Sequence, residues 1–509
     1  MDTILTTLHD GLGVFSSPIM LLYMAGGVMF GMYAGAMPGI SATMAISLLV
    51  SFTYNWDVYP ALAISIGCYV GAVYGGSRAA ILLNVPGTPA AISTAFDGYP
   101  LAQKGKAAKA LGITAIQSVI GGIIGAVFLL VAAPLITKFA LMFAPRDYFL
   151  LAFMGIVLLC SMAGGNFSKG LFSGFMGMLI GAIGMDSSTA VQRFTFGNIY
   201  MMSGISSVAI IIGMFGLSES LIQMRDFRKV EVRKQDVSRI IPSFKDAFGY
   251  LRVTIESSLI GVFIGALPGT GGNIASLLAY DRAKKTVKNP ETPFGEGAIE
   301  GLVASESSNN AAVGGAVIPM LTLGIPGDSC TALLLASLSA HGVVAGPLLI
   351  QDSSGVFGKV VMLTLLANII LLPIALTGIK TFAKIVEVPK EILLPVIIIL
   401  TVVGSFATRK NMMDVYFMIG FGILGYFMKM HGFSTGPLVL GLILSQLLEQ
   451  NFRRALAASN ANIGVLFGKI FASPLSVILL IAVILVFASQ FGLIGKIKSR
   501  FAHAGKIGR

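Results

Sequence analysis

Four Pro-Gly pairs interrupt otherwise apolar stretches: Pro38-Gly39, Pro86-Gly87, Pro268-Gly269 and Pro326-Gly327. Proline removes an amide donor and ends a helix, and glycine accepts dihedrals that other residues avoid. Small or polar residues crowd the same tips. They are Ser41 and Thr43; Asn84, Thr88 and Ser93; Thr270, Gly271, Gly272 and Asn273; Asp328, Ser329 and Thr331. Helices beginning at such tips offer free amides and the positive end of the dipole, which suit a carboxylate. Exposed carbonyls at the opposing helix ends suit a dehydrated sodium ion.

The substrate-binding candidates are therefore Ser41, Thr43, Asn84, Pro86, Gly87, Thr88, Thr270, Gly271, Gly272, Asn273, Gly327, Asp328 and Ser329. The sodium candidates are Gly39 and Gly269, with Ser305, Glu306, Asn309 and Asn310 from the polar run Ser305–Asn310. An ionisable group in an apolar region reads first as functional. Glu306 binds a cation or is held by its neighbouring serines. Arg78 is a counter-charge for an anion or a residue snorkelling at a helix end.

The elements that must carry these tips are membrane helices. Of 509 residues, 55% are hydrophobic and only 11% charged, less than half the charge of a soluble domain. The mean hydropathy is +0.86, and a soluble enzyme of this size could not cover its surface with so few polar groups. An all-α polytopic membrane protein of roughly 12–15 membrane segments is expected. The net charge of +12 then reflects basic loops on the cytoplasmic side rather than a nucleic-acid partner. Cys68, Cys160 and Cys330 lie in apolar runs and imply no disulfide framework. His9, His341, His431 and His503 show no zinc or haem spacing. No cleavable signal peptide is expected, because residues 1–20 hold Asp2 and Asp10 but no Lys or Arg.

The pattern occurs twice. Gly27, Gly31 and Gly35 lead into Ala36-Met37-Pro38-Gly39, as Gly261 and Gly265 lead into Ala266-Leu267-Pro268-Gly269. Gly75-Gly76 precedes Asn84-Val85-Pro86-Gly87-Thr88, as Gly314-Gly315 precedes Gly324-Ile325-Pro326-Gly327-Asp328. The offsets are about 230 and about 240 residues, the mark of a duplicated unit. The expected domains are a first repeat (1–222), a basic cytoplasmic linker (223–252), a second repeat (253–470), and a further helix with a basic tail (471–509). Equivalent loops carry opposite charge. Asn55–Tyr59 has no basic residue whereas its mate holds Arg282, Lys284, Lys285 and Lys288, and Lys104, Lys106 and Lys109 face a mate, His341–Gly355, with none. Such alternation predicts inverted-topology repeats, with an outside N-terminus and an inside tail. The first pair of breaks reads as discontinuous helices and the second pair as re-entrant hairpins, which survive in hydrocarbon only inside protein or beside water.

Other functions are weighed against this one. No phosphate loop of the Gly-x-x-x-x-Gly-Lys-Ser/Thr type is present, so ATP would have to act through another subunit. Tyr280-Asp281 with Pro326-Gly327-Asp328 superficially resembles the paired aspartates of an intramembrane aspartyl protease, but Asp281 adjoins a basic loop and the repeat mate of Asp328 is Thr88, as expected for a binding tip. A channel also uses breaks and small polar linings. The expectation is a transporter, not an enzyme.

The segments Gly35–Ser41, Asn84–Asp97 with Gly98-Tyr99-Pro100, Gly265–Asn273 and Gly324–Ser329 resemble the large membrane subunit of the tripartite tricarboxylate transporters, over nearly the whole chain. The resemblance implies a multi-pass permease of the bacterial inner membrane for tricarboxylates such as citrate or for related carboxylates. It implies a small four-helix membrane subunit and a periplasmic substrate-binding protein as partners, and a sodium or other cation gradient as the driving force. No cofactor is expected beyond that coupling ion.

Overall fold

The computed structural model describes residues 9, 11–37, 40–161, 166–186, 189–225, 248–377 and 390–490. The candidate Gly39, linker residues 226–247 and the basic tail from 491 onward lie outside the described residues. Among the described residues, apart from a two-stranded hairpin in which Gly184–Met185 pairs antiparallel with Gln192–Arg193, the regular structure is helical.

The duplicated pattern folds into two equivalent sets of helices. The first is α1 (Pro18–Ala36), α2 (Ala42–Thr53), α3 (Val58–Leu83) and α4 (Ile92–Gln103), followed by the long α5 (Ala107–Ala140). The second is α6 (Leu251–Gly265), α7 (Gly271–Thr286), α8 (Ile299–Leu323) and α9 (Ser329–Ala340). Pro86-Gly87, Pro268-Gly269 and Pro326-Gly327 each fall between two helices of a set, as the missing amide and free dihedrals require.

Six described helices are long and apolar enough to cross a membrane: α1, α3, α5, Ser207–Arg225, Gly355–Thr377 and Met412–Met430. A seventh crossing follows if Ile463–Phe471 and Pro474–Ala488, bent by 98°, count as one span. The chain is thus a multi-pass helical membrane protein. The six or seven are fewer than the 12–15 segments expected. The helices α2, α9 and Leu394–Arg409 are apolar but short, and the 25-residue α8 carries a buried polar run through its middle.

Small residues hold the pairs together. A Cβ on Gly31 would lie 2.1 Å from the Cys68 carbonyl oxygen, and one on Gly261 would lie 2.3 Å from that of Ser308. Backbones approach this closely only through glycine. The two contacts are the same contact in register, since 261 − 31 = 230 and 308 − 68 = 240. The rule continues along both pairs: Gly35 meets the Ala72 carbonyl and Gly265 that of Ala312, while Gly75 meets Met32 and Gly315 meets Val262. The two halves therefore pack α1 on α3 and α6 on α8 alike.

Both sets belong to one compact unit, Met1–Leu141 with Ser206–Phe427. The other unit is Met142–Ile205 with Met428–Arg509. Within it Phe167–Gly181 packs on Thr435–Ala457 through Gly177 and Gly441. Arg453 pairs with Asp186 at 2.8 Å and with Glu449 at 2.7 Å, and Ser476 donates to the buried Asp147.

Candidate functional site

The tips are built alike. Asn84 closes α3 in the left-handed region at φ 54°, and Gly324 closes α8 there at φ 69°. After each, the Pro-Gly pair folds back against the neighbouring helix end. A Cβ on Gly87 would stand 1.9 Å from the Gly35 carbonyl, and one on Gly327 would stand 2.8 Å from that of Gly265. The Gly87 amide donates to the Gly76 carbonyl at 3.2 Å, and Gly269 N donates to Gly327 O at 2.7 Å.

The structure brings together much of the second-half candidate set. Gly271, at φ +56°, lies against the Cβ of Asp328, and Gly272 lies against Oδ1 of Asn309. In the first half Thr88 is buried over Gly76, and its hydroxyl has no hydrogen-bond partner. Ser41 and Thr43 bond each other at 2.8 Å, and Ser41 caps α2 by accepting from Met44 N at 3.1 Å. Thr270 turns back to the Leu267 carbonyl at 2.8 Å. Asn84 and Asn273 are exposed, and Pro86 and Ser329 are half-buried.

Asp328 is engaged on both oxygens. Its Oδ1 accepts from Thr331 N at 2.8 Å in a capping box that opens α9, and its Oδ2 accepts from the Tyr69 hydroxyl of α3. The box satisfies α9's first amides from within. Asp281, by contrast, pairs with Lys285 at 2.5 Å on an exposed face. The two aspartates serve different partners, unlike the shared-proton dyad of an aspartyl protease.

The polar run of α8 is fully enclosed. Glu306 is 0% exposed. Its Oε1 accepts from Ser77 of α3 and from Thr94 of α4, both at 2.5 Å, and its Oε2 accepts from Ser118 of α5 at 2.8 Å. Ser307 and Ser308 bond instead to the carbonyls of Val303 and Ala304 in their own helix. So Glu306 is held by hydroxyls from three other helices and not by its adjacent serines. Ser305 Oγ, Asn309 Nδ2 and both amide atoms of Asn310 are buried without a hydrogen-bond partner. Among the described residues no group of three or more His, Cys, Asp or Glu is gathered.

Two further groups frame the site. Asp97 of α4 is buried, and its Oδ1 accepts from the backbone amides of Gly295, Gly297 and Ala298, each at 2.8 Å. It thereby fixes the turn that starts α8. Arg78 is buried beside Ser77; it donates to Tyr74 Oη at 3.2 Å and to the Ala375 carbonyl at 2.5 Å. That burial excludes snorkelling at a helix end.

Tyr69, Ser77, Thr94, Asp97 and Ser118 are the site residues that sequence reasoning did not select. For Ser118 a signal existed: Gln117-Ser118 is a polar pair inside the apolar run of α5. Gln117 is itself bonded across to Thr254 of α6 at 2.7 Å.

A family profile described as the tripartite tricarboxylate transporter TctA family matches residues 21–440. An uncharacterized 52.8 kDa protein of the TAR-I ttuC' 3' region of Agrobacterium vitis is 34% identical over 462 residues, covering 91% of this chain and 92% of the relative. A second uncharacterized protein, from the TAR-II ttuC' 3' region of the same organism, is 36% identical over 225 residues, 44% of this chain and 93% of the relative. No solved structure matches.

Proposed function

The chain belongs to the tripartite tricarboxylate transporter family, and from that premise we propose that it is the permease that imports a tricarboxylate or related carboxylate by cation-coupled secondary transport. It works in the bacterial inner membrane with a small membrane subunit and receives substrate from a periplasmic binding protein.

The observation that carries this reading is the doubled tip. Two broken-helix pairs pack in the same register and end in Asn84–Thr88 and Gly324–Ser329. We read the halves, 1–222 and 253–470, as inverted-topology repeats whose second breaks are re-entrant hairpins, the arrangement that supports alternating access. The substrate carboxylates are held by the amides and hydroxyls of Ser41, Thr43, Thr88, Thr270–Asn273 and Ser329. Asp328, already bonded to Tyr69 and Thr331, shapes its tip rather than binding an anion, because two carboxylates repel.

Sodium co-transport makes the uptake concentrative. Three sodium ions would offset the charge of a fully ionised tricarboxylate, and each further net positive charge carried inward gains about 2.3 kcal/mol per 100 mV. The test is uptake of labelled tricarboxylates by cells carrying the permease and both partners. Uptake lost when either this chain or the binding protein is removed supports the reading. Uptake indifferent to both removals contradicts it.

A further inference from the structure

We propose that Glu306, Ser77, Thr94 and Ser118 form the binding site of the coupling sodium ion, and that this ion sets the α3–α4 tip. The inference rests on the reading of coupled transport, but the site is built from its own contacts. Five oxygens converge from four helices: Oε1 and Oε2 of Glu306 on α8, and the hydroxyls of Ser77 on α3, Thr94 on α4 and Ser118 on α5. All four residues are 0% exposed. Carboxylate and hydroxyl oxygens are the ligands a hard, small cation takes. Hydroxyls alone leave the carboxylate's charge uncompensated in a dry interior, where charge is costly unless paired.

A second observation points the same way. Asn310 stands one helical turn after Glu306 on the same face of α8. It is 1% exposed, and neither its amide oxygen nor its nitrogen has a hydrogen-bond partner. Buried amides are ordinarily satisfied, so an unsatisfied one beside the carboxylate marks a place where a ligand supplies the missing contact. Asn310 Oδ1 would supply a sixth oxygen.

The site's position gives it leverage. Ser77 and Thr94 belong to the two arms that flank the tip Asn84–Thr88. An ion drawing both hydroxyls onto Glu306 fixes the arms against α8 and, with them, Thr88. Loss of the ion leaves an unneutralised carboxylate and loosens the arms. Cation and carboxylate sites are thereby coupled through one hairpin, as reciprocal linkage requires.

The experiment is thermal unfolding of the purified full-length chain as sodium replaces choline at constant ionic strength. A ligand that binds the folded state raises the midpoint saturably. Sodium is expected to raise the wild-type midpoint and to leave that of Glu306→Gln unchanged. Thr94→Val removes one ligand at constant shape and should raise the half-saturating sodium about tenfold, which is about 1.4 kcal/mol. Thr94→Ser keeps the hydroxyl and should stay within about threefold of wild type. Wild-type midpoints that rise no more in sodium than in choline would overturn the site, as would equal sodium responses in wild type, Glu306→Gln and Thr94→Val. The assay needs no transport. A sodium response in a chain that moves no carboxylate would sink the transport reading and keep the site, whereas sodium-driven uptake unaltered in these variants would sink the site alone.

Discussion

The Tyr69 hydroxyl of α3 donates to Oδ2 of Asp328, 259 residues further along the chain. This bond ties the first half to the tip that opens α9. Tyr69 is only 2% exposed, whereas Asp328 is half-buried.

Tyr69→Phe should therefore destabilise the protein by about 1–3 kcal/mol, the cost of removing a donor from a charged acceptor. Thermal unfolding in detergent checks it. A midpoint equal to wild type would show that the bond is not a stability element.

The glycine contacts make a sharper demand. Gly31→Val and Gly261→Val each place carbon where a carbonyl oxygen already sits, and overpacking of this kind costs about 1–3 kcal/mol or more. Gly26→Ala, with nothing within 4 Å, should be neutral or slightly stabilising. The fraction of monodisperse protein after extraction separates the two classes.

Asp97→Ala removes the acceptor of three backbone amides and should cost on the order of 3 kcal/mol. Asp97→Asn keeps an acceptor oxygen and should cost less. Equal losses would mean that the carboxylate's charge, and not its geometry, holds the turn before α8.

Thr88→Val should leave stability near wild type, because the hydroxyl bonds to nothing that it would abandon. It should instead raise the half-saturating substrate concentration about tenfold, the worth of one hydrogen bond to a charged ligand. Unchanged half-saturation in the variant would remove Thr88 from the substrate site.

Much of this arrangement was legible in the sequence. Pro-Gly pairs inside apolar runs announce helix breaks, and the offsets at which they recur are the offsets that separate the contact of Gly31 with Cys68 from that of Gly261 with Ser308, although the partners themselves were not legible. The partners of Glu306 were not legible. Ser77, Thr94 and Ser118 look like ordinary hydroxyls of membrane helices, which usually bond to their own backbone, as Ser307 and Ser308 do. Their convergence depends on how α3, α4 and α5 pack around α8, and no local pattern encodes it. The amides held by Asp97 begin 198 residues later in the chain, beyond any motif. The number of crossings was obscured because hydropathy cannot separate a short apolar helix beside a break from a full span.

The most direct test of the account is concentrative uptake of a labelled tricarboxylate into vesicles that carry the permease, its small membrane subunit and the loaded binding protein, under an imposed inward sodium gradient. Wild type should accumulate substrate only with the gradient, and Thr88→Val should need about tenfold more substrate for the same rate. Equal accumulation with and without the gradient, in wild type and variant alike, would contradict it.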